Sequence, residues 1–205
     1  MNKTFIAALA LAATLPAHAA LTTNPGDIGN VVVDFEMFDG FYTTGPETVA
    51  PGVTFSGDEG SQLGAFIADL GTNGTWGAGN YFAATDGIGE LRFTFDTLTQ
   101  GAGALVNHFA LPELPMLAVV VSAYGDNNQI IETYNVPVVT MMDSLNAGSF
   151  VGITRDSADI RSISFKGYAI VLDNVAVTAP VPEPETYAML LAGLGLIGMV
   201  ARRRM

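Results

Sequence analysis

This sequence predicts an all-β protein: an antiparallel β-sandwich of jelly-roll-like type, enclosed by an N-terminal signal peptide and a single C-terminal transmembrane helix. Three observations point there. Between residues 20 and 180, short β-rich runs are separated by clusters of Gly, Asn, Asp and Pro, with no amphipathic helical period among them. Residues 91–96 alternate strictly, Leu91, Phe93 and Phe95 on one face and Arg92, Thr94 and Asp96 on the other; this is the pattern of a strand with one wet side. Each end of the chain carries an apolar segment in the setting of a transport signal.

The first element is that N-terminal signal, residues 1–19. Met1-Asn2-Lys3 supplies a basic start, Phe5 to Leu15 an apolar core, and Ala17-His18-Ala19 a small-x-small cleavage site before Ala20. Residues 20–180 form the ectodomain, a single domain of about 160 residues with enough chain to bury a substantial core. Its basic residues are Arg92, Arg155, Arg161 and Lys166 against eighteen acids, a net charge of −14. Such a surface repels nucleic acid and anionic lipid and keeps an exported protein soluble. The chain has no cysteine, so thiol catalysis and cysteine zinc sites are excluded and the exported domain must be held by its core, with or without a metal.

Strands are expected at Val31–Glu36, Val49–Phe55, Leu63–Asp69 and Leu91–Asp96. Residues 71–79, five of whose members are not glycine but which include Gly71, Gly74, Gly77 and Gly79, read as a surface loop, since they lack the strand-then-helix setting and the lysine of a phosphate cradle. Met116–Tyr124 is almost wholly apolar and reads as a central strand, and Tyr124–Gln129 turns the chain into a hairpin partner over 129–136. Phe150–Thr154, Ile160–Phe165 and Ala169–Val177 complete the set, giving eight to ten short strands without intervening helices.

The last element is residues 181–205: Pro182-Glu183-Pro184, an uncharged run from Tyr187 to Ala201, and Arg202-Arg203-Arg204. As a helix, residues 187–201 span roughly 22 Å. That is short against a hydrocarbon core of about 30 Å, but snorkelling arginines and an interfacial Tyr187 allow a thin fit. The arginines belong on the cytoplasmic side, which places the ectodomain outside. This order of features closely resembles the PEP-CTERM sorting signal of Gram-negative bacteria. The resemblance implies export, a transient inner-membrane anchor, processing by an exosortase (a membrane transpeptidase), and delivery to the cell surface or the extracellular polysaccharide matrix. An ordinary retained anchor is the alternative.

Residues 150–177 also resemble the closing strands of carbohydrate-binding-module-like, or galactose-binding-like, β-sandwiches. In that resemblance Phe35-Glu36 and Asp173-Asn174 take the positions that commonly surround a structural calcium. Asp34, Glu36, Asp173 and Asn174 are therefore the candidate metal residues, oxygen donors of the kind calcium prefers; solvated strand residues are the plainer alternative. For glycan binding, where exposed rings stack on sugar faces, the candidates are Trp76, Tyr81 and Tyr42. A Trp76 that plugs the sandwich is equally compatible with the sequence. His108 is the only histidine outside the signal peptide and reads as a satisfied structural residue, and no pair of acids stands out at a glycosidase spacing. The expected function is non-enzymatic: a glycan-binding module with structural calcium. The alternatives are a purely structural matrix or adhesion protein and, third, a small glycan hydrolase.

Overall fold

The computed structural model describes residues 19–111 and 118–178. The expected signal peptide up to Ala19 and the whole sorting tail, including residues 187–201, lie outside these but for Ala19. Among the described residues no helix is long and apolar enough to cross a membrane. The strands are β1 (Ala19–Thr22), β2 (Asn30–Val33), β3 (Phe41–Tyr42), β4 (Glu47–Ala50), β5 (Val53–Gly57), β6 (Gln62–Asp69) and β7 (Thr75–Ala84). They continue with β8 (Ile88–Thr99), β9 (Gly101–His108), β10 (Val119–Tyr124), β11 (Ile130–Val136), β12 (Ser149–Arg155), β13 (Ile160–Tyr168) and β14 (Ile170–Val177).

They form two sheets. One runs β1-β12-β9-β14-β7-β6-β3, with β2 also on β14; the other runs β11-β10-β13-β8-β5-β4. The pairings between these strands are antiparallel. The predicted all-β sandwich is thus the fold. Its period-two logic is visible in β8: Leu91, Phe93 and Phe95 are buried in the core between the sheets, facing Leu63, Val106, Ile153 and Leu172 from the opposite layer. On the wet side of the same strand, the Arg92 guanidinium lies 3.8 Å from the centre of the Tyr124 ring, a cation–π contact.

Several boundaries differ from the sequence reading, each for a local reason. The strand expected over 31–36 stops at Val33, because Phe35 takes φ 60° and turns the chain inward. The run 49–55 divides into β4 and β5 around Pro51-Gly52, where Gly52 has φ 75°. The glycine-rich stretch 71–79 is not simply a loop: residues 75–79 belong to β7, which pairs with β6 across two register shifts. At the first shift Gly64 (φ 73°) is the extra residue of a β-bulge, and at the second, where β7 runs on from Gly77 to Phe82 without partners, Gly77 takes φ 139°.

The first sheet also carries a small core on its outer face. Ala65, Leu70, Trp76, Phe82 and Val171 cluster there, with Ala68, Ala84 and Leu105 packed around them. Residues 137–148 fold over this cluster and are pinned to it by polar groups. Trp76 Nε1 donates to the Ala147 carbonyl at 2.6 Å, and Gly77 N donates to Asn146 Oδ1 at 2.8 Å. Asn107 Nδ2 donates to the carbonyls of Asn73 and Ala147. Asn73 Nδ2 in turn donates to the carbonyls of His108 and Val138. The segment is therefore a roof with its buried polar groups satisfied.

Candidate functional site

Asp173 sits on β14 between Leu172, which faces the main core, and a register shift that ends at Ala176. Its register partner is Leu105, which packs on the outer cluster. The carboxylate therefore points to the outer face of the first sheet, and the residue is 4% exposed. Asn174 follows with φ 53°, and this local reversal lets its backbone N–H donate to Asp173 Oδ1 at 2.6 Å and its Nδ2 to Oδ2 at 3.2 Å.

Beside it comes the turn after β2, which is hydrogen-bonded to β14. Glu36 accepts from the backbone N–H of Tyr81 through Oε1 at 3.2 Å, and Asp34 Oδ1 accepts from Glu36 N at 3.3 Å. Asp34 and Glu36 are exposed. The sequence places both on one face of a strand. In the structure they instead flank the buried, left-handed Phe35, and it is the turn that aims them.

Burial, first of all, pushes the Asp173 carboxyl up to about 6 from 3.8; the negative charges of Glu36 and Asp34 push in the same direction, while hydrogen bonds from the Asn174 backbone and the Asn80 side chain pull back. Asp34 and Glu36 thus lie near enough for their charge to reach the Asp173 carboxyl, Asn174 bonds it directly, and Asn80 does so too; the sequence reading missed Asn80 because nothing in the order Gly79-Asn80-Tyr81 marks it. The ion pairs of Arg155 with Glu132 and Asp159 and of Arg161 with Asp126 lie elsewhere. Three carboxyls and two carboxamides are an all-oxygen donor set suited to calcium. As they stand the carboxylates are not drawn into a cage: no group of three His, Cys, Asp or Glu among the described residues is close enough to hold an ion. An ion here would have to draw the exposed Asp34 and Glu36 toward the fixed Asp173.

The aromatic candidates separate. Trp76 is 0% exposed, stacked edge-on against Phe82 with ring centres 5.4 Å apart and hydrogen-bonded to the roof. It has no free face for a sugar, so a ligand role for Trp76 is corrected to a structural one. Tyr81 is half-buried and packs against the main core. Tyr42 alone stands out, 67% exposed on the edge strand β3. Its register partner is Gln62, whose own partner on β7 is Ala84, which puts Tyr42 over the outer face. There it borders a cleft of about 190 Å³ floored by Ala65, Ala84 and Val171 and rimmed by Gln62, Asp69 and Asp86. His108 is buried with Nδ1 2.9 Å from the Phe109 carbonyl and Nε2 3.2 Å from that of Val138. It belongs to the clamp that holds the roof.

Residues 180–204 match the PEP-CTERM protein-sorting motif. Comparison with curated proteins and with solved structures returned no match. The chain therefore carries a tail of the kind processed by an exosortase, as on exported, membrane-anchored surface proteins.

Proposed function

We propose that the β-sandwich is a non-enzymatic glycan-binding module, exported and then released by exosortase processing to the cell surface or the extracellular polysaccharide matrix of a Gram-negative cell. The observation that supports binding is the outer-face cleft, where an exposed ring, a carboxamide and two carboxylates stand around an apolar floor. Rings of this kind cover the apolar face of a sugar, while amide and carboxylate oxygens accept from its hydroxyls. A domain carrying −14 repels an acidic polymer, so the ligand class is a neutral polysaccharide. Calcium held by Asp34, Glu36 and Asp173, with the Asn80 and Asn174 amides, would tie the turn after β2 to β14 and stiffen the same sheet.

Affinity electrophoresis through gels containing neutral polysaccharide tests this reading. The wild-type domain is expected to be retarded and Tyr42→Ala to run as it does in an unloaded gel; Tyr42 is exposed, so its removal leaves the fold standing. Equal mobility of both proteins in every gel would favour a structural matrix or adhesion protein. Release of reducing ends would instead revive the hydrolase. For the tail, intact-mass analysis of the surface-released protein is expected to place the new C-terminus between Pro182 and Glu185. An intact Arg204 at the surface would mean a retained anchor.

A further inference from the structure

Both ends of the folded domain emerge at one pole. β1 begins with Ala19 opposite Arg155, and Arg155 N donates to the Gln100 carbonyl at 2.7 Å. β14 ends with Val177 opposite Ala102. Thr178 is then fixed to the turn between β8 and β9: its N–H donates to the Gly101 carbonyl at 2.9 Å, and its own carbonyl accepts from Thr99 Oγ1 at 2.8 Å. Strands β12 and β9 separate β1 from β14, so the two exits are about 14 Å apart.

The sorting motif starts only four residues after this anchor, at Pro182, a reach of at most about 14 Å even when fully extended. Any enzyme that takes Pro182-Glu183-Pro184 into an active site is therefore pressed against this pole. The two sheets part there to leave a pocket of about 170 Å³, with Val53 and Phe95 from one layer and Val32 and Val177 from the other, and with Thr97 and Leu98 beside it. Exposed Asp96 lines this pocket and opposes an anionic lipid surface, which favours a protein occupant.

We propose that this open end of the sandwich, around Thr178 and the Val32–Val53–Phe95–Val177 pocket, is a docking surface for the membrane transpeptidase that reads the sorting motif. The folded domain is then part of the substrate, and the tail alone is not the whole recognition element. This rests on the sorting reading above.

The test compares processing of the full chain in cells that hold the transpeptidase. Thr97→Arg puts a bulky charge on an exposed rim position, and Leu98→Glu, at a half-buried one, serves as the second variant; unchanged thermal midpoints of the isolated domains confirm folding. Each is expected to slow loss of the tail about tenfold, equivalent to about 1.4 kcal/mol. A 12-residue Gly/Ser spacer after Thr178, which adds about 40 Å of reach, is expected to make wild-type and variant poles equivalent. Wild type and both variants processed at equal rates at native spacing would overturn the docking surface alone. Wild type that keeps its tail would overturn the sorting reading with it.

Discussion

Trp76→Ala is expected to destabilise the domain by about 3–5 kcal/mol, the range for emptying a fully buried aromatic site. Three losses combine. The side chain is 0% exposed, so its removal leaves a void beneath the roof beside Leu70, Phe82 and Val171. The edge-on contact with Phe82 disappears, and with it the attraction between ring edge and ring face. The Ala147 carbonyl also loses the shorter of its two hydrogen bonds and keeps only that from Asn107 Nδ2 at 2.9 Å, which adds to the cost. Trp76→Phe keeps most of the packing but not the indole N–H, so a smaller loss of about 1–2 kcal/mol is expected. Denaturant unfolding of the isolated domain measures both. A Trp76→Ala protein with wild-type stability but weakened retention by polysaccharide would reverse the assignment and return the ring to a binding surface.

That residue also shows where the sequence is readable and where it is not. β8 and the hairpin of β10 and β11 are legible because their signals are local: side chains alternate along one strand, and a Gly-Asp-Asn-Asn turn lies between two β-branched runs. β9, Gly101-Ala102-Gly103-Ala104-Leu105-Val106-Asn107-His108, gives no such signal. Its small residues are there for close approach: a Cβ added at Gly103 would lie 2.7 Å from the Phe150 ring and 2.9 Å from the Gly152 backbone. In a list of residues that looks like a turn; in the sheet it is a tightly packed central strand. Trp76 is misleading in the same way. Its glycine neighbours suggest an exposed loop, but the backbone that covers it is residues 137–148, and nothing within ten residues of Trp76 announces them.

The carboxylate cluster is the mixed case. Asp34, Glu36, Asp173 and Asn174 can be named because two short motifs resemble a familiar arrangement, and β2 does pair with β14. The means of assembly is not in the motifs. Phe35 and Asn174 both adopt left-handed backbone, φ 60° and 53°, and those two reversals, which cost energy in non-glycine residues, set the direction of the acids beside them. Asn80 joins from β7, in the stretch between Gly77 and Phe82 that has no register partner on β6.

From this cluster follows the second large effect, a pH dependence that calcium should reverse. The folded protein binds the Asp173 proton more tightly than the unfolded chain does, since burial raises this carboxyl to about 6 from 3.8. Protonated Asp173 therefore favours folding fully at pH values below the unfolded value. That contribution is lost as pH climbs through the window from about 4 to 6. At neutral pH, in chelator, the ionised side chain costs on the order of 2 kcal/mol once partial access of water is allowed for. Asp173→Asn removes the charge, so its stability is expected to lack this decline and to exceed wild type at pH 7 in chelator, by less than the full amount because an amide accepts less well from Asn174 and Asn80. An ion that pairs with the ionised form must act in the opposite sense. Millimolar calcium is expected to raise the wild-type unfolding midpoint at pH 7, by about 2.7 kcal/mol in stability at a hundredfold excess over its dissociation constant. At pH 5 the rise should shrink, and in Asp173→Asn it should vanish. Thermal unfolding at the two pH values, with calcium and with chelator, reads all of these at once. A wild-type midpoint indifferent to calcium at pH 7 would remove the metal while leaving the pH decline in place, and a flat profile across pH 4–6 would show that Asp173 meets water more freely than its 4% exposure implies.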